Sequence, residues 1–148
     1  MNFVFSTKMP KRYSFPTHVN DLIMDRSEAT TSEVFVVVLK PGQAPPLHRH
    51  EDTEQIFYIV EGEGWLEIGG EAGKGQTTPL RSYNVNASDI VRVPPNTYHR
   101  ISCVGETPLR YVAVDCFPGG RPTAEPTWES HVRAVCREQG WDFDAVTS

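Results

Sequence analysis

The chain has 148 residues, of which 39% are hydrophobic and 22% charged, and it carries a formal net charge of −5 at pH 7. That length suits one domain with a core large enough to need no staple, and the longest apolar run, Val34–Leu39, is far too short to cross a bilayer. The acidic balance argues against nucleic acid and against an anionic membrane surface as partners, but leaves room for a small anionic substrate, because local charge at a metal can outweigh the global sign.

Cys103, Cys116 and Cys136 show no Cys-x-x-Cys spacing and cannot all pair, which points to reduced thiols and a cytoplasmic setting. Met1-Asn-Phe-Val-Phe5 gives way to polar residues instead of a sustained apolar signal region.

In chain order, residues 1–12 read as a solvated arm with Phe3, Phe5 and a basic patch of Lys8, Lys11 and Arg12. Val19–Met24 is a short first strand. Glu33–Lys40 is a stronger one, rich in β-formers and without alternation, so burial on both faces is expected. Pro41-Gly42 ends it, and Pro45-Pro46 stiffens the approach to His48. Gln55–Val60 reads as a buried strand, Glu61-Gly62-Glu63-Gly64 as a reversal, and Trp65–Ile68 as the returning strand. The stretch from Gly69 to Ser82 is longer than a hairpin needs and suits a pocket rim. Strands over Tyr83–Val85, Ile90–Val93, Tyr98–Cys103 and Arg110–Phe117 follow, each bounded by Asn, Ser, Pro or Gly. Short strands at this spacing indicate an all-β sandwich or barrel.

Residues 117–126 form a Pro/Gly-rich linker. Thr127 then caps a helix over Trp128–Gln139 that ends at Gly140. Trp128, Val132, Val135 and Cys136 make one apolar stripe suited to docking on the barrel or on a partner subunit, and His131, off that stripe, reads as a surface residue. The chain thus divides into an arm with the first strands (1–33), a barrel (34–117) and a linker with a helix (118–148), within one domain.

The chemistry concentrates in Gly42–Gly62. His48 and His50 are two residues apart, so in extended chain both imidazoles face the same way. An amide or carboxylate at the head of the following strand adds a third metal ligand, and His99, after the turn at Pro94-Pro95-Asn96, adds a fourth. Phe57 and Ile59 share the face of Gln55, and Ile101 and Cys103 share that of His99. All four read as core by default, and Cys103 as an inert thiol. Tyr98 and Arg100 flank His99 on the other face and read as structural.

Gly42-x5-His48-x-His50-x4-Gln55-x6-Gly62 resembles the first motif of the cupin superfamily, and Ser88-x5-Pro94-x-Asn96-x2-His99 resembles the second. The resemblance implies a small jelly-roll β-barrel with one divalent transition metal (Mn, Fe, Co, Ni or Zn) held inside by His48, His50, His99 and one further residue. It also implies a homodimer formed through an edge strand.

Three departures stand out. Ser88 replaces a glycine, and Asn96 replaces the turn glycine, which a residue tolerant of positive φ can do. Cys103 stands where the family has an asparagine. Gln55, separated from Gly62 by six residues, occupies the slot where most cupins have Glu, and Glu54 precedes it. Adjacent strand residues face opposite ways, so only one can reach the metal. Strand register favours Gln55 and residue chemistry favours Glu54; the expectation adopted is Gln55, with Glu54 the alternative.

Neutral ligands leave a divalent metal its full charge, a stronger Lewis acid than one bound by a carboxylate. The ligand set is similar to that of small cupins that open the ring of unsaturated uronates and to sugar-isomerase-like members. The leading expectation is therefore an isomerase or lyase acting on a small oxygenated, carbohydrate-like substrate. An iron or nickel dioxygenase and a non-catalytic sugar- or metabolite-binding module are the alternatives. The sequence identifies no general base.

Overall fold

The computed structural model describes residues 2–70 and 79–148. Among them run β1 (Lys11–Ser14), β2 (Val19–Met24), β3 (Ser32–Leu39), β4 (Glu54–Glu61), β5 (Glu63–Gly69), β6 (Arg81–Asn86), β7 (Ile90–Val93), β8 (Tyr98–Cys103) and β9 (Leu109–Cys116). A 3-10 turn (Arg26–Glu28) precedes β3, and two helices, α1 (Trp128–Gln139) and α2 (Phe143–Thr147), close the chain.

The strands make two antiparallel sheets, one of six in the order β1-β2-β3-β9-β4-β7 and one of three in the order β6-β5-β8. Alternation decides which side chains meet between them. Phe35, Val37, Leu39, Phe57, Ile59, Tyr111 and Ala113 from the larger sheet pack into one cluster with Leu66, Val85, Ile101 and Cys103 from the smaller. This is the all-β jelly-roll barrel with a C-terminal helix that the sequence predicts. β3 lies between β2 and β9, and Val36, on the face opposite Phe35 and Val37, is buried as well, in keeping with its unbroken apolar run. Gly62 turns β4 into β5 at φ 90°, where a Cβ would come within 2.5 Å of the Pro108 carbonyl oxygen, so both conformation and space require glycine there.

Helix α1 begins and ends as its sequence indicates, with Thr127 and Ser130 forming a reciprocal cap and Gly140 left-handed at φ 75°. Its stripe docks on the barrel: Trp128, 1% exposed, lies 4.7 Å from Phe35 and 6.0 Å from Tyr13, ring centre to ring centre. Two elements depart from the reading of the sequence. The arm ends earlier than expected, because Lys11 and Arg12 already belong to β1, which buries Tyr13. A second short helix, α2, buries Val146. Most of the expected pocket rim, residues 71–78, lies outside the described residues. Among the described residues no helix is long and apolar enough to cross a membrane.

Candidate metal centre

Backbone pairing brings the two histidine segments together. His48 and His99 exchange N–H to carbonyl bonds of 3.2 and 2.9 Å in an isolated antiparallel bridge. Asn96, left-handed at φ 61°, completes the turn before β8 and donates its N–H to the His50 carbonyl at 2.8 Å. Ser88, where the resemblance has glycine, is also left-handed, at φ 79°. Ring centres lie 4.3 Å apart for His48 and His99, 5.0 Å for His48 and His50, and 5.9 Å for His50 and His99. One nitrogen from each of the three rings falls within 4.8 Å of the others, a spacing that a single cation can bridge.

Hydrogen bonding fixes which nitrogens are available. His48 Nδ1 lies 2.7 Å from the Pro46 carbonyl and His99 Nδ1 lies 2.9 Å from that of Thr97. A carbonyl only accepts, so each Nδ1 carries the proton and each Nε2 keeps its lone pair. His99 Nε2 is buried and has no partner. Desolvation lowers the His99 pKa to about 3, with nearby His48 adding to the effect. Desolvation likewise holds His50 well below its ordinary value, and lowers His48 against the opposing bond to Pro46. The three imidazoles are therefore neutral, the state in which they bind metal. They fit a divalent transition metal.

The residue pair at the head of β4 splits across the sheet. Gln55 is 5% exposed and faces the triad's cavity, where its Oε1 is buried without a partner. Its Nε2 donates to Asp115 Oδ1 at 2.8 Å. Glu54 faces outward and accepts from Arg92 Nε at 3.0 Å. Asp115 lies opposite Gln55 on one side and opposite Glu33 on the other, so Glu33, Asp115 and Gln55 form a row across β3, β9 and β4. Burial pushes the Asp115 carboxyl well above its ordinary value, and adjacent Glu33 pushes the same way. Because Asp115 takes the amide nitrogen, the carbonyl oxygen of Gln55 is the atom turned to the cavity.

The cavity has a volume of about 760 Å³. All five histidines of the chain line it, together with Asn20, Arg26, Gln55, Asp115, Glu125 and Trp128. Five buried side-chain polar atoms lack a partner among the described residues, and four of them, on Asn20, Gln55, His99 and Trp128, belong to its walls. Groups orphaned together in one wall suit a polar ligand or ordered water. His131 corrects the reading of the sequence: it is not a surface residue but faces this cavity, with its ring centre 6.1 Å from that of His50. His18, which belongs to neither sequence motif, also lines this cavity. It stacks on Phe15 at 4.7 Å, and desolvation lowers its pKa to about 3. Tyr98 lies under the Arg49 guanidinium, and Arg100 pairs with Glu67 at 2.9 Å.

The Glu33–Asp115–Gln55 row explains why an amide occupies position 55. Gln55→Glu would set a third carboxyl group beside two that already crowd each other, and metal-free stability is expected to fall by about 2–4 kcal/mol in urea unfolding. Adding Asp115→Asn should recover at least half of that loss; a double variant no more stable than Gln55→Glu alone would contradict the row's role.

A model of the cupin domain matches residues 35–115, more than half of the chain. The oxalate-binding protein of Thermotoga maritima is 32% identical over 76 residues, 51% of this chain and 54% of its own length. An uncharacterized protein of Methanocaldococcus jannaschii is 30% identical over 81 residues, 55% of this chain and 57% of its own. The chain thus spans about half the length of these curated relatives. Among solved structures, a predicted oxalate decarboxylase from Thermotoga maritima aligns with a TM-score of 0.65 at 19% identity, covering 78% of this chain and all but 1% of that one (99%). KdgF from a Halomonas species aligns with a TM-score of 0.60 at 17% identity, covering 76% and 92% of the two chains. Likeness at those identities speaks for the fold, and the domain match speaks for the family: this chain belongs to the cupins.

Proposed function

We propose that the protein is a metal-dependent cupin enzyme with isomerase- or lyase-type chemistry on a small oxygenated, carbohydrate-like substrate. In this reading His48, His50 and His99 hold one divalent transition metal through nitrogen, and Gln55 contributes Oε1. The observation that carries it is the pair of buried, partnerless atoms, His99 Nε2 and Gln55 Oε1, in the wall of one polar cavity. Bound there, a divalent metal supplies Lewis acidity toward a substrate hydroxyl or carbonyl.

The chain's own residues supply the rest. Pro46 and Thr97 fix the tautomers of His48 and His99. Asp115 orients the Gln55 amide. The four ligands as a set carry no charge, which suits polarising oxygen more than stabilising ferric iron. The similarity of the ligand set to ring-opening cupins makes an unsaturated hexuronate the first substrate to test. A homodimer through an edge strand belongs to the same proposal; β7 is such an edge, and its Ile90, 68% exposed, makes an apolar patch with Tyr58 of neighbouring β4, 46% exposed.

A second reading has one specific support. The Thermotoga maritima relative is an oxalate-binding protein, which favours a non-catalytic module that captures a small metabolite at the same metal.

The two readings separate in one set of measurements. The metal-loaded chain should convert an unsaturated hexuronate to its open-chain isomer without oxygen, and His48→Ala or His99→Ala should lower the rate by about a hundredfold or more. Turnover that requires O2 would instead indicate a dioxygenase. No turnover, with thermal stabilisation by oxalate, would favour the binding module. In a competition titration, Gln55→Ala should weaken metal binding by about tenfold or more, while Glu54→Ala leaves it within about a factor of two; the reverse order would overturn the ligand assignment.

A further inference from the structure

Helix α1 lies along the cavity from Trp128 to Gln139. Trp128, His131, Val132 and Val135 line that wall, with Glu125 from the linker before the helix. His131 Nδ1 lies 2.6 Å from Glu125 Oε1. The hydrogen bond to His131 holds the Glu125 carboxyl below its ordinary value, so it accepts and the Nδ1 proton is donated to it. The other ring nitrogen, Nε2, has no hydrogen bond among the described residues, and the ring lies 5.7 Å from Trp128 and 6.1 Å from His50. Glu125 is itself anchored: Arg26 Nη1 donates to its backbone carbonyl at 2.9 Å.

A surface ion pair explains none of this placement. Such a pair points to solvent, whereas this ring bounds the same space as the metal triad and stands against a buried tryptophan. An imidazole oriented by a carboxylate at one nitrogen and open at the other is the arrangement by which proteins set up a general base.

We propose that Glu125 and His131 form the proton-transfer pair of this site, with His131 Nε2 as the group that touches substrate and Glu125 as the residue that positions it. The proposal rests on the ring-opening reading and supplies the base that reading lacks. Nε2 takes the proton of a substrate hydroxyl. The O–H electron pair becomes the second bond of a carbonyl as the ring C–O bond breaks, and the departing oxygen forms an enolate. That enolate takes the proton back at carbon. Atoms are conserved and nothing is oxidised or reduced, so substrate and product are isomers.

The test uses the full, metal-loaded chain with an unsaturated hexuronate as substrate and saturated galacturonate as a ligand that lacks the ring double bond and so cannot form the enolate or its product. His131→Asn should lower turnover by about a hundredfold or more, free imidazole should restore part of it, and metal affinity should not change. Glu125→Gln should lower turnover about tenfold and serves as the second variant should His131→Asn fail to fold. Turnover within about threefold of the parent, or a loss that imidazole does not relieve, overturns the proposal. If the parent chain turns over no unsaturated hexuronate, the ring-opening reading fails by itself, and the pair is judged by galacturonate binding in calorimetry. Binding about tenfold weaker in His131→Asn then upholds it as a ligand-contacting pair; equal binding, or none by the parent chain, overturns it.

Discussion

Both halves of the site depend on Arg26. Its guanidinium makes a two-pronged pair with Glu33, Nε to Oε1 at 2.9 Å and a terminal nitrogen to Oε2 at 2.7 Å, and the two side chains are only 3% and 0% exposed. Burial works against the Arg26 charge, but the hydrogen bonds and charge of Glu33 outweigh it and hold the guanidinium above its ordinary value. From Glu33 the polar row runs through Asp115 to Gln55 and the wall that faces the triad. From the third guanidinium nitrogen it runs to the backbone of Glu125, and so to His131 and helix α1. Asp25, one residue earlier, caps the 3-10 turn and accepts from the Trp128 N–H at 3.0 Å. A buried ion pair adds little net stability over apolar packing, but breaking one is costly, which makes it a firm register pin for these two walls.

That row changes the meaning of the amide at position 55. In most cupins a carboxylate there faces the metal. Here the carboxyl group in that row belongs to the neighbouring strand, at Asp115, which orients the amide of Gln55. The donor set around the candidate metal is then uncharged, while negative charge remains within the wall at Glu33, balanced by Arg26. A divalent metal held there would keep its Lewis acidity, and the Gln55 amide is oriented by its hydrogen bond to Asp115.

Much of the barrel is legible in the sequence, because strands with strong apolar content and clear breakers announce themselves. β3 and β4 do so, and helix α1 has its apolar stripe between Thr127 and Gly140. β1 and α2 do not. β1 is four residues long and buries one side chain, Tyr13, and α2 has five residues, too few for a helical period to emerge. The histidines of the motifs were likewise legible, because two-residue spacing fixes a shared face. Asp115 was less so, although Leu109, Tyr111, Ala113 and Asp115 are the buried positions of one alternating strand, and an ionisable residue ending such a series was a signal. His131 was missed for a tertiary reason. It lies off the apolar stripe, but it stands three residues after Trp128, and a helix lying along a cavity presents its flank there as well as its stripe.

The central claim is that three imidazoles and one amide oxygen from separate segments surround a single cation inside the barrel. Anomalous diffraction from crystals soaked in manganese or zinc tests it most directly. The account predicts one strong peak within bonding distance of nitrogens of His48, His50 and His99 and of Gln55 Oε1. A peak bonded to Glu54, a peak that leaves Gln55 out, or no peak among the three rings would contradict it.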